Sequence, residues 1–465
     1  MNQLWAPRAL LPDGWADAVL LSWDGEGNLT AVEPGVTQPA PPVARAAGPV
    51  VPGMTNLHSH AFQRAMAGLT EVLADPADDF WSWRQWMYRF AGRIGPETLG
   101  AVARQLYTEM LKAGYTSVCE FHYLHHQPGG RAYPEGPELA LRVVDAAADL
   151  GLGMTLLPVL YQYSGFGSRP PTEGQARFLG TPDGVLAMVD RLQRLRPSGP
   201  GRAYGAAAHS LRAVSPEALD LLRSGLHSQD PRAPFHLHVA EQTREVEDCL
   251  AALGQRPVAW LFDHQPVDHR WCLVHATHLD PGEIAALARS GAVAGLCPTT
   301  EANLGDGTFP GTAYLAAGGV WGIGSDSHVG LSPAEELKQL EYSQRLRDRR
   351  RNVLASVSRP SLATSLYLDA VAGGAQASGR PVAGLAIGQR ADFVVLDGNH
   401  PDVADRTPEQ ALAGWIFGPR QASAVSDVVA GGRFVVVRGH LDGEEKTAET
   451  YRRAVKALVN PEEAP

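Results

Sequence analysis

The sequence of 465 residues has few cysteines, no long hydrophobic run and no excess of positive charge. Its four cysteines, Cys119, Cys249, Cys272 and Cys297, form no close pair, which argues against a disulfide framework and against a thiolate zinc site. No stretch approaches the apolar length of a membrane-spanning helix, and the first residues lack the pattern of a secretory signal. These absences predict a protein of the cytoplasm that does not act on membranes.

The charge balance argues against nucleic acid as a partner. The chain has 40 Lys and Arg against 50 Asp and Glu, a formal net charge of −10. A protein of this sign does not attract phosphate backbones or anionic membranes over a broad surface. One basic run, at residues 345–351, is interpreted as a solvated helix face and is assigned no partner.

What the chain does have is a repeated alternation of short β-rich apolar runs with longer alanine- and leucine-rich stretches. This alternation is typical of βα units around a parallel sheet. Eight strands are predicted, at residues 50–60, 117–123, 153–160, 204–211, 235–239, 271–276, 292–298 and 320–326. Helices are predicted between them, for example at residues 97–113, 137–150, 217–226, 246–253 and 281–290. The pattern predicts an α/β fold, a (β/α)₈ TIM-type barrel, in which polar groups at the strand ends converge on one site.

The two ends of the chain have a different pattern. Residues 9–51 and 381–440 contain short alternating runs separated by Gly and Asp turns. The clearest are a strand at residues 391–397 and a hairpin at residues 428–436, which turns at Gly431-Gly432. The terminal segments are therefore predicted to form one small β-sandwich.

These patterns divide the chain into two predicted parts. Residues 1–54 and 380–465 form the sandwich domain, and residues 55–379 form the barrel that carries the metal. A final helix at residues 444–459 is expected to cover part of the surface.

The strongest chemical signal is His58-Ser59-His60 at the end of the first predicted barrel strand. Alternate strand residues point to the same side, so both imidazoles can reach one ion. His238, His275 and Asp326 also lie at predicted strand ends, and Glu241 follows His238 closely. The competing interpretations are a helix-capping carboxylate for Glu241 and a hydrogen-bonded core histidine for His275.

Together these residues resemble the amidohydrolase superfamily, and the likeness spans nearly the whole chain. The resemblance implies four metal ligands: His58, His60, His238 and Asp326. His236 is the competing candidate on the fifth strand, but the sequence Val-Ala-Glu after His238 resembles the deaminase branch.

One divalent ion is expected. Two-metal members of the superfamily usually add a bridging lysine on the fourth strand, and residues 204–212 offer none. Three histidines and a carboxylate suit zinc, although iron or another divalent ion also fits such a donor set. The resemblance further implies that Asp326 accepts a proton from water, Glu241 relays protons to the leaving group, and His275 polarises the reacting centre.

Within the superfamily, several segments resemble the formimidoylglutamate deiminase family of histidine degradation. They are residues 56–65, 80–84, 120–125, 208–214, 324–328 and 341–348. The resemblance implies a homodimer that hydrolyses N-formimino-L-glutamate to N-formyl-L-glutamate and ammonia.

The residue types near the predicted site also suit a small-molecule substrate with carboxylates. Arg212 follows the fourth strand and Arg84 lies in an aromatic-rich loop, and the planar guanidinium group matches a carboxylate. Gln63, Tyr123 and His209 add hydrogen-bonding groups near strand ends. Each arginine could instead be a structural salt-bridge partner.

Other functions stay open at this point. One is a deaminase of purine-like rings, or imidazolonepropionase, for which stacking aromatics would be expected in place of paired arginines. Another is a non-catalytic assembly protein that has kept the barrel. The tryptophans at 81, 83 and 86 are interpreted either as a lid that excludes water or as packing of a loop helix.

Overall fold

The computed structural model describes residues 2–39, 42–71, 79–134, 136–419 and 423–459. The strands are β1 Asn2–Leu11, β2 Gly14–Trp23, β3 Leu29–Glu33, β4 Ala44–Arg45, β5 Val50–Pro52, β6 Met54–Ser59, β7 Tyr115–His122, β8 Gly153–Leu160, β9 Arg202–Tyr204, β10 Ala206–Ser210, β11 Phe235–Val239, β12 Trp271–His275, β13 Val293–Leu296, β14 Val320–Ile323, β15 Phe393–Leu396, β16 Val425–Ala430 and β17 Arg433–Val436.

The α-helices are α1 Phe80–Ala91, α2 Pro96–Ala113, α3 Glu138–Leu150, α4 Pro182–Leu195, α5 Pro216–Gln229, α6 Thr243–Leu253, α7 Pro257–His264, α8 Pro281–Ser290, α9 Pro298–Leu304, α10 Gly311–Ala316, α11 Pro333–Asp348, α12 Leu362–Ser378, α13 Pro408–Phe417 and α14 Glu444–Val459. Two 3-10 helices lie at Ala61–Met66 and Glu173–Phe178. Within the described parts of the chain, no helix is long and apolar enough to cross a membrane.

The central sheet is a parallel barrel whose strands follow the order of the chain. Strands β6, β7, β8, β10, β11, β12, β13 and β14 pair each with the next, and β9 adds to β8. The barrel closes between its eighth and first strands through two hydrogen bonds. The amide of Asp326 donates to the carbonyl of His58 at 2.9 Å, and the amide of His60 donates to the carbonyl of Asp326 at 3.3 Å. The predicted (β/α)₈ barrel is confirmed.

The barrel strands are largely buried because both of their faces are covered. Every residue of β8, Gly153–Leu160, is buried, as expected for a parallel sheet with helices outside and packed side chains inside. Helix α2 shows the complementary pattern: its buried residues recur every three or four positions, which gives one face for the barrel. Pro96 at its first position and Gly114 after its last residue, with φ +105°, fix its two ends.

Two glycines allow close packing around β14. A Cβ on Gly324 would lie 2.8 Å from the backbone nitrogen of His58, so only glycine lets the eighth strand end beside the first. A Cβ on Gly373 of α12 would lie 1.8 Å from the carbonyl oxygen of Trp321. Helix α12 therefore rests directly on the backbone of β14.

The terminal segments form a separate, mostly antiparallel sheet with the order β17-β16-β15-β5-β1-β2-β3, and β4 pairs with β1. The hairpin predicted at Gly431-Gly432 joins β16 to β17. Trp23 and Phe393 meet edge-to-face at 5.7 Å in the core of this sheet. The single strand predicted at residues 50–60 is wrong: Gly53 separates β5 in the terminal sheet from β6 in the barrel.

Helix α14 lies against α2 on the barrel surface, as the sequence predicts. Glu444 forms an ion pair with Lys112, and the Tyr451 hydroxyl donates to the carbonyl of Arg64 at 3.2 Å. Residues 1 and 460–465 of the predicted sandwich domain lie outside the described residues.

Candidate active site

Three histidines and an aspartate meet at the carboxyl ends of β6, β11 and β14. The Nε2 atoms of His58 and His238 are 2.9 Å apart, and Oδ1 of Asp326 lies 3.5 Å from Nε2 of His58 and 3.2 Å from Nε2 of His60. Ligands at zinc bond lengths around a tetrahedral ion are separated by about 3.3–3.4 Å. Ligand atoms of His58, His60 and Asp326 lie within 4.8 Å of one another, as do those of His58, His238 and His275, so two possible metal-binding groups share His58.

Backbone carbonyls fix the orientation of two of these imidazole rings. Nδ1 of His60 donates to the carbonyl of Phe121 at 2.9 Å, and Nδ1 of His238 donates to the carbonyl of His209 at 2.9 Å. With the proton on Nδ1, each ring presents an unprotonated Nε2 to the cluster, which is the form that binds metal. Burial also lowers the pKa of His238 well below its usual value and so keeps the ring neutral.

His236, the competing candidate on the same strand, is placed elsewhere. Its Nε2 donates to the carbonyl of Ala377 at 2.8 Å, so the ring is engaged by helix α12. The structure brings His238, not His236, into the cluster.

A buried glutamate fixes the position of the residue between the first two histidines and of the turn that follows them. Glu120 on β7 accepts hydrogen bonds from the Ser59 hydroxyl and the Ala61 amide, both at 2.6 Å, and from the Tyr107 hydroxyl at 3.1 Å. Burial raises the pKa of Glu120 to about 7. Sequence patterns gave no sign of this role, although Glu120 belongs to one of the segments on which the family resemblance is based.

Glu241 and His275 lie next to the cluster and face one another. Oε1 of Glu241 is 3.7 Å from Nε2 of His275, and the same nitrogen is 3.9 Å from Oδ2 of Asp326. Glu301 of α9 contacts the other side of the ring, with Oε1 3.3 Å from Nδ1. Burial opposes a charged ring, but the carboxylates of Glu241 and Glu301 raise the pKa of His275 to about 10. Burial also raises the pKa of Glu241.

Two of these residues have a strained backbone. His275 has φ +68° and Asp326 has φ +43°, in the left-handed region that residues with a side chain rarely adopt. Such conformations cost roughly 1–3 kcal/mol each and persist only where the surroundings enforce them. Both lie where a strand ends and the side chain turns toward the cluster.

A cavity opens onto the cluster. It is lined by His60, Gln63, Phe80, Trp83, Arg84, Met87, Tyr88, Tyr123, Tyr161, Phe178, His209, Arg212, His238, Glu241, His275, Leu304 and Asp326. The five predicted substrate-binding residues are all in this set.

The two arginines carry positive charge into the buried cavity. Arg212 is only 6% exposed, and its Nη2 is 3.8 Å from Oε2 of Glu241. Among the described residues, Nε and Nη1 of Arg84 and Nε of Arg212 are buried without a hydrogen-bond partner. Burial and the charge of Arg212 lower the pKa of Arg84. Unsatisfied guanidinium groups in a cavity point to an anionic ligand.

The remaining predicted binding residues form a polar wall near the cluster. The Gln63 amide donates to the Tyr123 hydroxyl at 2.9 Å, and Oε1 of Gln63 is buried with no partner among the described residues. His209 lies at a register shift in β10, between Ala208 and Ser210. The bulge turns its ring toward Tyr161, at 4.7 Å between ring centroids.

The segment with Arg84 is helix α1, not the loop that the sequence analysis expected. Arg84 lies 4.5 Å above the ring of Trp81, and Trp83 lines the cavity, whereas Trp86 is 43% exposed. Sequence patterns did not predict that part of the cavity wall is formed by Phe80, Met87, Tyr88, Tyr161, Phe178 and Leu304. Tyr161 and Phe178 lie at the two ends of the segment between β8 and the end of the second 3-10 helix. No spacing of residues in the sequence indicated that they line the cavity.

Comparisons with known proteins agree with this architecture. The sequence model of the amidohydrolase family matches residues 50–435. The chain is 51% identical to formimidoylglutamate deiminase of Pseudomonas aeruginosa over 99% of this chain and 100% of that protein. It is 27% identical to 8-oxoguanine deaminase of the same species, over 99% of this chain and 100% of that protein.

Among solved structures, an amidohydrolase from Brucella melitensis superposes with a TM-score of 0.92 at 46% identity. The match covers 99% of this chain and 100% of that one. The matched region contains both the terminal sheet and all of the cluster residues at the barrel strand ends. The chain belongs to the amidohydrolase family.

Proposed function

We propose that this chain hydrolyses N-formimino-L-glutamate to N-formyl-L-glutamate and ammonia. The observation that carries the proposal is a pair of arginines, the buried Arg212 and the half-buried Arg84, in the same cavity as the His-Asp cluster and Glu241. The 51% identity to formimidoylglutamate deiminase of Pseudomonas aeruginosa supports it independently.

The charges of the substrate match those of the cavity. Formiminoglutamate carries a small formimino group on its α-nitrogen, one carboxylate on the adjacent α-carbon and a second carboxylate at the end of its side chain. Arg212 and Arg84 can each bind one carboxylate, with Gln63, Tyr123 and His209 as further hydrogen-bonding groups. We infer that the formimino carbon then faces the cluster, whose residues line the same cavity.

We infer one divalent ion, zinc, held by His58, His60, His238 and Asp326. The nitrogen-rich donor set supports zinc. Barrel strand β10, Ala206–Ser210, carries no lysine that could bridge a second ion. When bound, such an ion lowers the pKa of a coordinated water toward neutrality and so supplies the nucleophile.

The side chains around the ion account for the proton transfers. Asp326 takes a proton from the attacking water, and the oxygen adds to the formimino carbon. His275, held by Glu301, donates a hydrogen bond to the developing negative charge. Glu241, whose pKa burial raises, delivers a proton to the leaving nitrogen. As the carbon–nitrogen bond breaks, the hydroxyl proton of the adduct passes to Glu241 and restores its protonated form, and the formyl C=O forms. The nitrogen takes its second proton from Asp326 and leaves as ammonia.

A second candidate, deamination of a purine-like ring, is favoured by the aromatic lining of the cavity. The rings of Tyr123 and Phe178, however, meet edge-to-face at 5.0 Å, so they already pack on one another. A neutral ring would also leave the guanidinium group of Arg84 without a counter-charge, which is costly. The acidic substrate is therefore the better match.

A substrate panel separates these functions. Zinc-loaded protein is assayed for ammonia release from formiminoglutamate, guanine, 8-oxoguanine and S-adenosylhomocysteine at equal concentrations. We expect enzyme-catalysed ammonia release from formiminoglutamate and from none of the other three compounds. Faster release from any purine would favour the second candidate.

Three further features are part of the proposal. We infer a homodimer and a cytoplasmic location from the resemblance to the deiminase family. We also infer the domain division into residues 1–54 with 380–465 and residues 55–379, which the separate terminal sheet supports. Light scattering on the purified protein tests the first, and limited proteolysis tests the division.

A further inference from the structure

Glu245 is a buried carboxylate beside the cavity that the proposed reaction does not use. It lies in the first turn of α6 and is 2% exposed. Its side chain points back toward the end of β11, the strand that carries His238. Burial raises the pKa of Glu245 to about 7. A buried carboxylate at this place calls for a structural or functional reason.

Both oxygens of Glu245 accept backbone hydrogen bonds from the turn that carries the proton-transfer residue. Oε1 accepts from the amide of Ala240 at 3.1 Å, and Oε2 accepts from the amide of Glu241 at 3.2 Å. Hydrogen bonds to a carboxylate are stronger than those between neutral groups. One side chain thus holds two consecutive peptide groups.

The turn that Glu245 holds is strained. Ala240 has φ +50°, in the left-handed region that alanine rarely adopts. The turn points Glu241 toward Nε2 of His275 and Nη2 of Arg212, at 3.7 and 3.8 Å. If Ala240 relaxed to a negative φ, the direction of the chain would change at this residue, and the Glu241 carboxylate would leave these contacts.

We propose that Glu245 is a positioning residue for the reaction: its carboxylate holds the Ala240–Glu241 turn and so keeps the Glu241 carboxylate aimed at the reacting nitrogen. The proposal rests on the proton-transfer role of Glu241 in the proposed function. Groups that orient an active-site residue without touching substrate typically contribute roughly 10- to 100-fold to activity.

The test is a double-mutant cycle of Glu245→Gln and Glu241→Gln on zinc-loaded protein with formiminoglutamate. Glutamine has one acceptor oxygen, so it can hold only one of the two amides. We expect Glu245→Gln to lower kcat by about 10- to 100-fold while zinc content stays at the parent level. In the Glu241→Gln background the same change should alter kcat by less than about twofold, because the residue that it positions is already disabled. Equal losses in both backgrounds would overturn the proposal.

Glu336→Gln is the matched control. Glu336 is also buried and holds the first turn of α9, accepting from the Thr299 amide at 2.9 Å and its hydroxyl at 2.6 Å. It should match Glu245→Gln in its effect on thermal unfolding but keep kcat within about threefold. If both variants lose kcat alike, Glu245 has only a general structural role. If Glu245→Gln does not fold, Glu245→Asp, which keeps the charge but reaches less far, takes its place in the cycle.

A crystal structure of the Glu245 variant gives a readout that does not depend on the substrate. We expect Ala240 to leave the left-handed region and Glu241 to move away from His275. An unchanged turn would contradict the proposal whatever the kinetics. Should the parent enzyme not hydrolyse formiminoglutamate, the proposed function fails, and this structural comparison still decides the role of Glu245.

Discussion

Arg84 and Arg212 are the residues whose placement is hardest to explain without a ligand. A buried guanidinium group is stable only when acceptors surround it, and several of these N–H groups have no partner among the described residues. Arg212 has a partial counter-charge in Glu241, whereas the charge of Arg84 is opposed by its neighbour Arg212. A dicarboxylate in the cavity would satisfy both.

Replacing Arg212 or Arg84 with methionine tests this explanation. Methionine keeps the length of the side chain and removes the charge. The loss of one buried arginine–carboxylate contact costs roughly 2–5 kcal/mol, so kcat/KM for formiminoglutamate should fall by orders of magnitude while zinc content stays normal. The matched measurement uses an analogue without the corresponding carboxylate, on which parent and variant should differ little. Parent-like kinetics in both variants would refute the acidic-substrate proposal.

The choice between the two fifth-strand histidines gives a second prediction. Nε2 of His238 points into the cluster, whereas Nε2 of His236 donates to Ala377. His238→Ala should therefore purify without stoichiometric metal and without activity. His236→Ala should retain the metal, with a loss limited to stability. Elemental analysis of both proteins decides the assignment, and loss of metal from the His236 variant alone would reverse it.

The elements bring the site together through the ends of strands. Each barrel strand stops where its last side chains turn into the cavity, and buried glutamates such as Glu120 and Glu301 hold the following segments. The close approach of the first and eighth strands depends on Gly324, which has no side chain where His58 passes.

Gly324→Ala should therefore disturb the closure of the barrel. The added methyl would lie 2.8 Å from the His58 backbone nitrogen, so β14 must shift away from β6. Overpacking of this kind costs typically about 1–3 kcal/mol, and the distance between His58 and Asp326 should grow with loss of metal affinity. Gly201→Ala is the control, since nothing lies within 4 Å of a Cβ there. Equal unfolding midpoints and metal affinities for the two variants would contradict the explanation.

Local sequence patterns predicted the strands well and helix α1 poorly. The barrel strands are mostly apolar and many of them end in polar residues, so their positions can be predicted without the fold. Helix α1 buries Phe80, Met87, Tyr88 and Ala91 while Trp86 stays exposed, because part of it faces a cavity and not a packed core. Its aromatic residues thus give no clean apolar stripe.

At the scale of the whole molecule, the proposed metal ligands come from strands far apart in the chain. His58 and Asp326 are separated by 268 positions in the chain, yet Nε2 of His58 lies 3.5 Å from Oδ1 of Asp326. Sequence predicted that they converge, because the carboxyl ends of barrel strands share one face. Sequence could not predict which polar groups stay unsatisfied in the cavity or that Glu245 holds the Glu241 turn, since both depend on distances between elements.

Removal of the metal should affect the stability of the whole barrel. A ligand that binds only the folded state stabilises it by RT ln(1 + [L]/Kd), or about 4 kcal/mol at a thousand times Kd. Chelation should lower the apparent Tm of the parent protein, and added zinc should restore it. The His238→Ala variant should show no such response. If the Tm of the parent protein does not change after chelation, with loss of the metal verified, then metal binding at the cluster does not stabilise the fold.

The central claim is that this cavity selects a substrate with carboxylates and hydrolyses its formimino group. The most direct measurement is kcat/KM of the zinc-loaded parent for formiminoglutamate, with both products quantified, beside N-formimino-4-aminobutyrate, which lacks the α-carboxylate. We expect N-formylglutamate and ammonia in equal amounts, and a fall in kcat/KM of at least about 30-fold for the analogue, corresponding to roughly 2 kcal/mol for one carboxylate contact. Equal kcat/KM values for the two compounds, or no formylglutamate at all, would contradict the account.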